Sequence, residues 1–208
     1  MQFHPIDLAA WERREYYEHY TQRVVCSYST TVRLDVTPLR GQRLYPAMLW
    51  LLTGVVNEMP EFRTACTAAG VGYYESMHPS YTIFSRENHR FSVIWTEYHP
   101  DFAVFREAYE QDVAAYAGCE RMFPKPGQPE NTFDVSMVPW LPFSSFHLHV
   151  AGEGKHLLPI FTMGQLSEEK DHLWLPLALQ VHHAVCDGWH VGQFVARLQE
   201  KIHLLTQP

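Results

Sequence analysis

The stretch VHHAVCDGWH, residues 181–190, sets His182 and His183 five and four positions ahead of Asp187, where an apolar run ends. A neutral imidazole, ordinarily with a pKa of about 6.5, is a natural base for a hydroxyl near neutral pH. Neighbouring side chains on a strand point to opposite faces, so only one of the two histidines enters a given pocket. Asp187 has two readings from spacing: a charged partner beside the base, or the N-cap of a helix starting at Gly188. Ser136, just before the Pro-Trp turn of VSMVPW, offers a hydroxyl that could donate to an oxyanion or simply bond to backbone. His147 and His149 alternate in SSFHLHV and would share one face of a strand, the geometry a metal needs, but no third ligand stands at comparable spacing. Thr162, in IFTMG, carries no signal alone.

Hydrophobic periodicity predicts the elements that position these residues. DLAAWERREYYEHY is read as an amphipathic first helix with Asp7 as its N-cap. CSYSTTVRLDV alternates as a strand, YPAMLWLLTGVVNEM is a buried apolar helix, and PEFRTACTAAG is read as a short helix closed by Gly70. Strands around YTIFS and RFSVIWTEY are joined by the turn RENH, and Asp101 caps the helix FAVFREAYEQDVAAYAG. After the Pro/Gly-rich loop FPKPGQPEN, strands are expected at 132–138, 143–150, 157–162 and 172–181. A helix over about 188–205 closes the chain, with Val191, Phe194, Val195, Leu198 and Ile202 inward. Residues 1–208 therefore read as one α/β domain, a two-layer sandwich in which helices cover a mixed β-sheet.

Composition excludes several classes. The net charge of −7, from 16 basic and 23 acidic residues, argues against nucleic-acid and anionic-membrane partners. No apolar run approaches the ~20 residues of a membrane span, and the N-terminus lacks the basic start and apolar core of a signal peptide. Cys26, Cys66, Cys119 and Cys186 are scattered without CxxC spacing, as expected of reduced thiols in a cytoplasm.

Together these blocks resemble the trimeric, HHxxxDG-bearing chloramphenicol acetyltransferases over nearly the whole length. The likeness rests on WERREYYEHY, YPAMLW, HPSYTIF, FSVIWTEYHPDF, VSMVPW, SSF, FTMG and, most specific, LPLALQVHHAVCDGWHVGQF. HHxxxDG alone is shared with the acyltransferase cores of 2-oxo acid dehydrogenase complexes, which would carry lipoyl and partner-binding segments, whereas this chain is expected to start directly at the catalytic domain. A non-catalytic binder would be expected to have lost His183, Ser136 or Asp187, and all are present.

The resemblance implies a CoA-dependent acyltransferase-like fold and acetyl-CoA-dependent O-acetylation of chloramphenicol's primary hydroxyl. It implies no permanently bound cofactor, no metal, acetyl-CoA as cosubstrate, and a cytoplasmic homotrimer with its sites between subunits. By the same resemblance His183 is the general base, with His182 its outward, structural neighbour. Ser136 stabilises the oxyanion, Thr162 assists through ordered water, and Asp187 is held by Arg13. Tyr20, Phe91, Phe123, Phe146 and Leu148 line the antibiotic pocket; Trp140, Gln165 and Leu166 fall at the CoA end. Gln165 and Leu166 replace a Lys-Tyr that contacts CoA in relatives. His147 and His149 stand where Asp or Asn is usual, and His19 and Tyr28 replace pocket phenylalanines.

Overall fold

A computed structural model of the chain describes residues 2–150 and 155–205. Its centre is a seven-stranded mixed sheet built from β2 (Ser27–Asp35), β5 (His78–Ser85), β6 (Arg90–Trp95), β7 (Thr132–Met137), β8 (Ile160–Met163), β9 (Ser167–Glu169) and β10 (His172–His182). The strand order is β2-β10-β8-β7-β5-β6, with β9 paired to β10; β7 runs parallel to β5 and β8, and the other pairs are antiparallel. β1 (Phe3–Pro5), β3 (Thr64–Thr67) and β4 (Gly70–Tyr74) form a separate three-stranded sheet.

The helices α2 (Leu44–Glu58), α3 (Phe102–Tyr116) and α4 (Gly188–Leu204) follow their apolar patterns. α2 is apolar over most of its circumference and buries nine residues, as an interior helix must. Asp101 starts α3 by accepting from the amides of Ala103 and Val104. α4 turns Val191, Phe194, Leu198 and Ile202 inward and leaves Val195 half-buried.

Strand alternation divides the large sheet into two unlike faces. Phe161 of β8 stacks on Phe194 of α4 and lies level with Leu179 of β10, so Leu175, Leu177, Leu179 and Val181 face the helix layer. Pro176, Ala178, Gln180 and His182 face the other way, together with Thr162 and Ser136.

Several sequence expectations need correction. The first helix is short: α1 spans Arg14–Glu18 and continues as a π-helical turn over His19–Arg23, while Asp7 caps only a local turn through the Ala9 amide. The segment expected to be a helix at 60–70 is a 3₁₀ turn followed by the β3–β4 hairpin; Gly70 closes it at φ +102°, where a Cβ is disfavoured. Residues 143–150 form no strand: the amides of Phe146 and Leu148 donate to the side chains of Thr31 and Gln180, not to a backbone ladder. The short β1, β4 and β9 were not expected, and β8 begins at Ile160, later than 157.

Candidate active site

β10 ends at His182, and His183 stands just beyond it, its amide donating to the carbonyl of Cys26 at 2.9 Å. Alternation turns His183 to the helix side, where Tyr28 of β2, level with Val181, meets its ring edge-on at 5.3 Å. Tyr20, from the π-helical turn, stacks flat on the imidazole with centroids 4.3 Å apart and planes 4° from parallel. The ring is thus clamped, with Nδ1 buried. His182 was expected to point outward; it is instead 2% exposed on the opposite face, its Nδ1 accepting from the Ala184 amide at 3.2 Å. Burial, reinforced by nearby His156 and His183, pushes its pKa down, so it stays a neutral packed histidine.

Asp187 fulfils both readings. It caps α4 by accepting from the Trp189 amide at 3.1 Å, and it pairs with Arg13 at 2.9 Å across 174 residues of sequence. Arg13 also reaches the carbonyl of His183 at 3.4 Å, tying the first helix to the loop that carries this histidine. Burial alone would raise the Asp187 carboxyl, but the hydrogen bond from Arg13 and the charges of His190 and Arg13 outweigh it, and the pKa falls below the ordinary value. The neighbouring Cys186 thiol is pushed far up by burial and stays protonated.

Ser136 and Thr162 are partners in the parallel β7–β8 pairing, and their hydroxyl oxygens lie 3.0 Å apart. Phe146 and Leu148 line a narrow cleft on the same face with Thr162, Ala178 and Gln180. Gln165, with Leu166 next in the chain, meets the turn that carries Trp140: the Leu141 amide donates to Val138, closing the Pro-Trp turn, and the Gln165 amide donates to Leu141 at 3.0 Å. Trp140 packs on Phe84, centroids 4.9 Å apart, at the rim of a groove of about 490 Å³ lined also by Tyr45, Arg86, Tyr109 and Met137. Sequence spacing pointed to neither Phe84 nor Arg86, because nothing local marks them as neighbours of residue 140.

One chain does not bring all these groups together. Thr162 and Ser136 are level with Ala178, and His183 lies five residues further along β10, about 16 Å at ~3.3 Å per residue. Phe91, 50% exposed on β6, and Phe123, 55% exposed beside it, lie at the far edge of the sheet. Four strand spacings of ~4.8 Å, about 19 Å in all, separate that edge from β10. Of the five expected pocket residues, only Tyr20 touches His183. His147 and His149 hold their rings 4.6 Å apart, His147 Nδ1 lying 2.6 Å from the Ser29 hydroxyl, and among the described residues no cluster of three metal-binding side chains occurs.

The family model described as chloramphenicol acetyltransferase matches residues 1–199. The chain belongs to the chloramphenicol acetyltransferase family. A chloramphenicol acetyltransferase of Clostridium perfringens is 48% identical over 206 residues, covering 98% of this chain and all of the relative. One of Clostridioides difficile is 47% identical over 210 residues, covering 100% and 99%. Among solved structures, a chloramphenicol acetyltransferase superposes with a TM-score of 0.83 at 22% identity, covering 97% of this chain and 100% of that one. The dihydrolipoamide acetyltransferase of Azotobacter vinelandii follows at 0.68 and 15%, covering 97% and 91%. Both likenesses show the shared α/β fold. No helix among the described residues is long and apolar enough to cross a membrane.

Proposed function

We propose that this chain transfers the acetyl group of acetyl-CoA to the primary (3-) hydroxyl of chloramphenicol and so inactivates the antibiotic. The Nε2 of His183 takes the hydroxyl proton as that oxygen attacks the thioester carbonyl. Ser136 donates to the developing oxyanion, assisted by Thr162, and collapse expels CoA as its thiolate, which recovers the proton from the imidazolium. No acyl-enzyme is formed, no metal takes part, and acetyl-CoA is a cosubstrate rather than a resident cofactor. Arg13 and Asp187 hold the loop that carries the base.

The observation that carries this reading is the clamped imidazole. Tyr20 fixes its plane, and burial of Nδ1 leaves Nε2 to accept from a substrate hydroxyl. The separation of His183 from Ser136 and from Phe91 and Phe123 supports a homotrimer with sites between subunits, the base from one copy meeting a pocket built mostly by the next. The whole chain acts as one catalytic domain, in the cytoplasm where acetyl-CoA is available. The test is release of CoA from acetyl-CoA, followed with a thiol reagent, with and without chloramphenicol. Release that depends on the antibiotic and yields its 3-acetyl ester is expected; release indifferent to chloramphenicol would refute the assignment.

A further inference from the structure

Residues 117–131, between α3 and β7, form no helix or strand, yet they carry the exposed side chains of Met122 and Phe123. An aromatic ring on irregular backbone would ordinarily have no fixed place. Here the backbone is anchored to β6 on both sides of residue 123. Before it, the Ser92 hydroxyl is shared between the carbonyls of Cys119 and Arg121 at 3.1 and 2.8 Å, and the Val93 amide donates to the Met122 carbonyl at 2.6 Å. After it, the Lys125 ammonium donates to the Trp95 carbonyl at 2.8 Å and pairs with Asp112 of α3 at 2.6 Å. The same ammonium lies over the Trp95 ring, 4.3 Å from its centroid.

Lys125 and Asp112 are largely withdrawn from water, their side chains 16% and 20% exposed. The other oxygen of Asp112 accepts from the Thr96 hydroxyl at 2.7 Å, and Thr96 is bonded in turn to Tyr81 at 2.7 Å, both of them fully buried. Desolvation offsets most of what such a pair gains in attraction, so its net stabilisation is small. What it does fix is geometry: α3, β6 and the 117–131 segment meet at one ammonium. Pro124 and Pro126 flank Lys125, locking φ at their own positions and restricting the residues before them, Phe123 and Lys125. Phe123 therefore stands on a stiff stretch, pinned at Met122 and again at Lys125.

The strand that holds this segment also faces the reaction. Tyr81 and Ile94 are level in the β5–β6 pair and lie on the helix side, where Tyr81 meets Tyr45 and Tyr109. Phe91, three residues before Ile94, thus faces the open side of the sheet together with Ser136. We propose that Lys125 is a positioning residue for the antibiotic: it holds Phe123 in the pose that meets chloramphenicol and acts only through that ring. This deepens the acetyltransferase reading and rests on it. Lys125 touches neither the substrates nor the reacting atoms.

The experiment is steady-state kinetics of wild type, Phe123→Ala, Lys125→Met and the double variant, with chloramphenicol and acetyl-CoA each varied. Phe123→Ala should raise the KM for chloramphenicol about tenfold. Lys125→Met, which keeps the side-chain stem, should raise it about three- to fivefold. In both, kcat and the KM for acetyl-CoA should stay near wild type, the pattern of lost binding that is equal in ground and transition states. A purely structural role would lower the active fraction, and so kcat, with both KM values unchanged. The double variant should be no worse than Phe123→Ala, because Lys125 has nothing left to position. Lys125→Met leaves Asp112 without its partner; if that protein folds poorly, Lys125→Met with Asp112→Asn removes the lone charge and replaces it in the same comparison. A chloramphenicol KM that rises in Phe123→Ala and not on loss of Lys125 overturns the proposal, and so do additive effects in the double variant. A KM that moves in neither removes Phe123 from the antibiotic pocket and the proposal with it, whereas a wild type without chloramphenicol-dependent turnover removes the acetyltransferase reading itself.

Discussion

Asp187→Asn tests what joins the first helix to the loop that carries His183. The side chains of Arg13 and Asp187 are 18% and 34% exposed, so the pair lies between a surface ion pair, worth ~0–1 kcal/mol, and a fully buried one, whose breaking costs ~3–5 kcal/mol. Discounted for solvent, its loss should cost about 1–2 kcal/mol, or ~3–6 °C in Tm for a chain of this size. Asparagine keeps an oxygen for the Trp189 amide, so the cap survives; Asp187→Ala removes that too and should cost about 1 kcal/mol more. Because Arg13 also holds the His183 carbonyl, turnover should fall together with stability in Asp187→Asn and in Arg13→Ala. The double variant strands no lone charge and should fall less than the sum of the singles by about 1 kcal/mol. The pH dependence has a definite sign. The folded carboxyl has a lowered pKa, so its contribution is present above the unfolded carboxyl's ordinary value of ~3.9 and is lost as pH falls through the lower folded value. The Tm gap between wild type and Asp187→Asn should therefore be full at neutral pH and close in acid. Tm by calorimetry and turnover by CoA release, measured on the four proteins of the cycle, decide the matter. Additive losses, or an Asp187→Asn protein that melts like wild type and has merely lost activity, would refute the structural role.

His183→Ala should lower turnover at least ~10²–10⁴-fold in a well-folded protein. His182→Ala, which empties a buried site, should lower Tm while leaving most turnover per folded molecule; similar catalytic losses in both would undo the assignment of the base. Ser136→Ala should cut kcat by ~10²–10³ with little change in the Kd for chloramphenicol, because an oxyanion donor acts on the transition state. Weaker antibiotic binding with unchanged kcat would make Ser136 a substrate contact alone.

Much of the site was legible because its signals are local. The apolar run ending at His182 gave β10, alternation separated the two histidines, and Asp-Gly-Trp marked the start of α4. What was missed depends on partners distant in sequence. Alternation in SSFHLHV looks like a strand, yet the amides of Phe146 and Leu148 are taken by Thr31 and Gln180, more than thirty residues away in either direction. The alanines of RTACTAAG favour a helix, but Gly70 turns the chain back, and Gly72 packs so closely on β1 that a Cβ would meet the His4 carbonyl and the Phe3 ring. The direction of His182 also depended on context: alternation says the two histidines diverge, and nothing local says that both faces of the sheet are covered.

The distance along β10 between His183 and the level of Ser136 has a genetic consequence. If each reaction centre draws its base from one copy and its oxyanion donor from the next, a gene disabled at His183 and one disabled at Ser136 are defective in different halves of a shared site. Around a ring of three, any mixed assembly contains one junction where an intact His183 faces an intact Ser136. Two alleles that each leave a cell sensitive would then complement when expressed together, whereas two alleles both lacking His183 would not.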